Sequence, residues 1–72
     1  MPEPELYSVV ELLVGMPEEQ LQRGNVGTLV HEHNEGEAFE VEFVDNQGYT
    51  LGLVTLTPDK FVVLSKHRQE WE

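Results

Sequence analysis

Phe39, Val41 and Phe43 alternate with Glu40, Glu42 and Val44 in the middle of the chain, a period of two that predicts a strand with one face buried and the other in water. Val26 to His33 has the same character, and Asn34-Glu35-Gly36-Glu37 joins the two segments as a hairpin connection, with glycine where a positive φ is favoured. A two-residue or a four-residue loop gives the same register, placing Val30 opposite Val41 and Thr28 opposite Phe43. On that register Val26, Thr28 and Val30 join Phe39, Val41 and Phe43 inside. Leu29, His31, His33, Glu40 and Glu42 occupy the other face. Downstream, Asp45-Asn46-Gln47-Gly48-Tyr49 reads as a three-residue loop with Gly48 in the left-handed conformation. That loop sets Phe43 beside Leu51 and Val41 beside Leu53. A shorter one would place Phe43 against Thr50 and waste the apolar face. Gly52, inside the strand Tyr49 to Leu56, is the expected site of a sharp bend.

The flanks are less regular. Leu6, Val9, Val10 and Leu13 have helical spacing, yet Val9 to Val14 is a short β-branched run ended by Gly15 and Pro17, which favours a strand. Met16 to Gln22 reads as a loop with one helical turn begun by Pro17. Thr57-Pro58-Asp59-Lys60 has the grammar of a single helical or 3₁₀ turn, capped by Thr57 and underpacked by Phe61, before a last strand at Val62-Val63-Leu64. The expectation is one domain over residues 1–72, with a core from about 7 to 64 and loose termini at 1–5 and 65–72. Its class is all-β, a small five-stranded SH3-like barrel with one short helical turn before the last strand.

Arg23-Gly24-Asn25-Val26-Gly27-Thr28-Leu29-Val30, Phe39-Glu40-Val41-Glu42-Phe43-Val44-Asp45, Gly48 and Leu56-Thr57-Pro58-Asp59 together resemble the small bacterial family called domain of unknown function 4926. The resemblance runs from about Tyr7 to Leu64. The glycine-turn-strand element is also similar to KOW domains and to the SH3-like domain of the nitrile hydratase β subunit. The family resemblance implies no catalytic residues. It does suggest a neutralising, antitoxin-like role, because some members sit beside genes for toxin-like proteins. The tail from Ser65, with Trp71, departs from the family pattern.

Charge narrows the function classes. Fourteen acidic residues against four basic ones give a formal charge of −10, which repels polyanions, whereas binding through phosphates needs clustered Lys and Arg. Only Lys66 and Arg68 lie close together, so no nucleic-acid partner is expected, and a KOW-like nucleic-acid module is the alternative that this charge opposes. Without cysteine there is neither a disulfide nor a thiolate zinc site, and a domain this small buries only about 60% of its unfolded surface. The longest apolar runs fall short of the roughly 18 residues of a membrane span. No membrane association and a cytoplasmic location are therefore expected.

Candidate chemistry is sparse. His31 and His33 share one face, with His31 directly across from Glu40. That trio is either an exposed cross-strand pair with a neighbouring imidazole or three ligands for a metal. Ser8 and Ser65 sit near strand ends and not on a nucleophile turn, and no Lys-Ser/Thr follows Gly24 and Gly27 as a phosphate loop requires; these two read as turn and bulge residues. The chain is thus expected to be non-enzymatic and without cofactor. Glu32, Glu35, Glu37, Glu40, Glu42 and Asp45 concentrate charge on one hairpin, either as a solvated face or as a dock for a basic protein. The residues expected to bind such a partner are Leu29, Glu35, Glu37, Glu40, Glu42, Tyr49 and Trp71, the last because tryptophan is enriched at binding hot spots. An accessory subunit of an enzyme is a further alternative.

Overall fold

The computed structural model describes residues 4–65, so Trp71 lies outside the described residues. Five strands form: β1 (Val9–Leu12), β2 (Val26–His33), β3 (Ala38–Val44), β4 (Thr50–Leu56) and β5 (Phe61–Ser65). Two 3₁₀ turns, Pro17–Glu19 and Pro58–Lys60, each place proline at the start, where its missing N–H costs nothing. The β-branched Val9-Val10 pair resolves the helix–strand ambiguity in favour of strand.

All neighbouring strands are antiparallel and the sheet order is β4-β3-β2-β1-β5. The all-β class and the five strands are as expected, but the sheet does not close into a barrel: β4 and β5 end the ladder without pairing to each other. β5 has taken the free edge of β1, and its own outer edge meets no strand among the described residues. The Lys60 carbonyl accepts from Leu13 N–H at 2.8 Å, and Phe61 to Ser65 run alongside β1, so the β1–β5 pairing begins at the first residue of β5. The sheet nevertheless curls. In a flat sheet β3 and β5 would lie about 14 Å apart, three spacings of roughly 4.8 Å. The Phe39 and Phe61 rings instead meet edge to face with centroids 5.9 Å apart. The concave face encloses Val10, Leu12, Leu29, Val41, Phe43 and Leu56 around that ring pair.

Two register shifts separate the observed faces from those expected. Near the hairpin turn the expected pairing holds, with His31 opposite Glu40. Between Leu29 and His31 the ladder slips by one residue, so Leu29 faces Val41 and Gly27 faces Phe43. Val30 is the extra residue of a β-bulge. Past a bulge the parity of a strand inverts, hence Leu29 points into the core while Val26 is exposed and Thr28 and Val30 are half-exposed. The bulge is anchored from outside the hairpin: Leu29 N–H donates to the Ser8 carbonyl at 3.0 Å, and its carbonyl accepts from Tyr7 N–H at 2.7 Å.

The second shift lies between Phe43 and Val44. The loop closes as expected, with Asp45 N–H donating to the Tyr49 carbonyl and Gly48 at φ 88°. Beyond it Phe43 faces Gly52 and Val41 faces Val54, not Leu51 and Leu53. Val54 and Leu56 are therefore buried, and Leu51 and Leu53 are left on the surface.

Gly24 has φ 95° and serves the turn before β2, as expected. Gly27 is a close-approach residue and not a bulge. A Cβ there would lie 2.7 Å from the Glu42 carbonyl oxygen and 2.9 Å from Phe43 Cδ1. At Gly52 nothing lies within 4 Å of an added Cβ, so no side-chain clash keeps that position glycine.

Candidate functional site

The β2–β3 hairpin carries the acidic residues on a tightly wound tip. Asn34, Glu35 and Gly36 have φ of 51°, 59° and 102°, and Gly36 and Glu37 N–H groups both donate to the His33 carbonyl at 3.1 Å. Asn and Gly adopt the left-handed region readily, but Glu35 carries a Cβ penalty there of about 1–2 kcal/mol. Glu32, Glu35 and Glu37 are exposed around this tip, and Glu40 and Glu42 are half-buried on the convex face of β3.

Those two carboxylates are held by neighbours. Glu40 Oε2 lies 3.3 Å from His33 Nε2, one position diagonal to the His31 that pairs with it across the ladder. The His31 ring packs against that of His33 with centroids 4.7 Å apart and planes at 69°. The imidazole bound to Glu40 is therefore His33 and not His31 as expected. Glu42 Oε2 accepts from Thr50 Oγ1 of β4 at 3.2 Å. Among the described residues no group of three His, Cys, Asp or Glu side chains is disposed to hold a metal ion.

Leu29, an expected contact residue, is fully enclosed in the core and cannot touch a partner, because the Val30 bulge turned it inward. Tyr49 is 69% exposed at the end of the β3–β4 loop. The Asp45 side chain shapes that loop, its Oδ1 accepting from Gln47 N–H at 2.8 Å and Tyr49 N–H at 3.0 Å. Leu51 and Leu53 take the place of Leu29 as the hairpin's exposed apolar residues. Strict alternation places them inside, although Gly52, the expected bend, adjoins Leu51, the extra residue of the bulge that exposes them.

Val26, Val44 and Leu51 line an open groove of about 700 Å³ between the Gly24 turn and the Asp45 loop. Ser8 is buried in the core region, which removes it as an accessible nucleophile. At the β4–β5 turn the Thr57 hydroxyl donates to the Asp59 carboxylate, and this bond first, with the Asp59 backbone N–H second, holds that carboxyl below its ordinary 3.8. The hydroxyl thus engages the side chain and makes no bond to the backbone N–H groups that an N-cap would satisfy.

Comparison with protein families gives a match to the family described as Domain of unknown function (DUF4926) over residues 6–63. No curated protein and no solved structure matches the chain.

Proposed function

The chain belongs to the domain of unknown function 4926 family, and from that premise we propose that it is a non-enzymatic interaction module, antitoxin-like or accessory, that recognises a basic partner protein. The observation that carries the reading is the hairpin surface. Glu35 and Glu37 stand exposed at its tip, Glu40 and Glu42 line the convex face behind them, and Tyr49 and Leu53 lie exposed on the β3–β4 hairpin that shares β3. Carboxylates of one sign raise the encounter rate with a cationic surface, and adjacent apolar side chains slow its departure. Occlusion of the partner's working surface is the mode of action. The proposal has the partner share the cytoplasm with this chain. Among the described residues no helix is long and apolar enough to cross a membrane.

Co-expression with the product of an adjacent gene tests the proposal. The expected result is co-elution at low ionic strength that weakens as salt rises, with slower association for a variant combining Glu37→Gln, Glu40→Gln and Glu42→Gln. Indifference to salt and to that variant would overturn it. Retention of RNA or duplex DNA at low salt would favour the KOW-like nucleic-acid module instead.

A further inference from the structure

We infer that the free edge of β4 is the docking line, and that it takes up an extended, basic segment of the partner as an added strand. This inference rests on the interaction-module reading above and specifies how the contact is made. Three observations converge on it. First, β4 ends the ladder, so the outer backbone groups of Thr50–Leu56 have no strand partner among the described residues. Edge strands are ordinarily guarded by charge, by lysine or by proline, but Thr-Leu-Gly-Leu-Val-Thr-Leu has none of these. Its bulge inverts a face without placing a charge on the edge.

Second, the two faces of this edge differ in the way a recognition strand requires. Val54 and Leu56 point to the core, and Leu53 and Thr55 point outward and are exposed, with Leu53 at 58%. A strand laid beside β4 would continue both faces, with small apolar side chains on the concave side and long ones on the convex side. Gly52 leaves open space midway along the edge.

Third, the charge of the occupant is set by β3. Glu42 and Glu40 lie across from Leu53 and Thr55, and the Glu42 carboxylate reaches over onto β4, bonded to Thr50. That places a negative group about one strand spacing, roughly 5 Å, from an incoming backbone, within reach of a lysine or arginine side chain. The formal charge of −10 on each chain disfavours a second copy of the same acidic molecule as the occupant.

The test uses a short synthetic peptide alternating lysine and valine, with amide hydrogen exchange of the protein followed by NMR. At ten times the dissociation constant, β4 amides facing the edge should exchange roughly tenfold more slowly. A Glu40→Gln, Glu42→Gln variant should bind the peptide more weakly. A peptide alternating glutamate and valine, or the lysine peptide N-methylated at alternate residues, should give no protection. Protection confined to the tip at Glu35 and Glu37 would overturn the edge as the docking line and leave the acidic interaction module standing. Absence of any peptide binding would overturn the edge inference alone, while the co-elution test decides the interaction module. Undiminished binding of the N-methylated peptide would mean that side-chain charge alone suffices, and would sink the added-strand mode. Slow β4 exchange without peptide that grows with protein concentration would identify a second copy as the occupant, against the inference.

Discussion

At the scale of single residues, Gly27 and Glu35 mark opposite uses of backbone freedom. Gly27 lies in an ordinary strand conformation but has no room for a Cβ, because the Glu42 carbonyl and the Val41 and Phe43 side chains close on it. Gly27→Ala should lower stability by about 1–3 kcal/mol, the usual range for forcing extra volume into a packed site, measured as a shift of the urea midpoint at constant slope. Glu35 has the reverse problem, since its surroundings are open but its φ of 59° suits glycine. Glu35→Gly should stabilise by about 0.5–1 kcal/mol, the left-handed penalty less the entropy of a freer unfolded chain. Asp59 supplies a pH dependence of definite sign. Its folded-state carboxyl is held below the ordinary 3.8, so the contribution is present above that value and is lost as pH falls through the lower, folded one. The stability difference between the wild type and Asp59→Asn should be constant at neutral pH and shrink in acid below about 3.8. A difference that instead grows with acid would contradict the Thr57–Asp59 bond.

At the scale of elements, the two bulges decide what is inside. Leu29 and Val30 are neighbours of similar chemistry, but Leu29 is enclosed and Val30 is half-exposed. Leu29→Ala should cost about 2–5 kcal/mol, and Val30→Ala under about 1 kcal/mol, the span of strand propensities; the larger cost at Val30 would restore the unbulged register. The same contrast shows which parts of the fold are legible in the sequence. Turns and strand limits are carried by local chemistry: Pro17 and Pro58 start their 3₁₀ turns, Gly36 and Gly48 have positive φ, and Ala38 to Val44 alternates as written. The inward face of β3 is legible because Phe39, Val41 and Phe43 outweigh any alternative. β2 and β4 have apolar residues of both parities, Val26 and Val30 against Leu29, and Leu51 and Leu53 against Val54 and Leu56. Contacts from distant segments break that tie, as when Tyr7 and Ser8 clasp Leu29. Such contacts leave no mark in a local window. For the candidate site the consequence is specific: Glu35, Glu37, Glu40, Glu42 and Tyr49 are legible as surface, Leu29 is not, and Leu53 goes unseen.

For the whole molecule, the dominant long-range force is self-repulsion. A formal charge of −10 over 72 residues works against compaction and is screened over about 10 Å at 0.1 M salt. The melting temperature should rise as sodium chloride is added from low ionic strength, read by circular dichroism; a fall would mean that favourable charge contacts outweigh the repulsion. A basic partner would relieve the same strain, so binding and stability should rise together.

The edge-to-face contact between Phe39 and Phe61 joins the middle of the chain to its last described strand, while β5 finds its backbone partners in β1. Pairings so remote in sequence are slow to form, because the intervening chain must surrender its freedom before the contact returns anything. During synthesis the hairpins can assemble as they emerge, but the aromatic interior stays open until Phe61 has left the ribosome. The first strand then waits, half-paired, for the last.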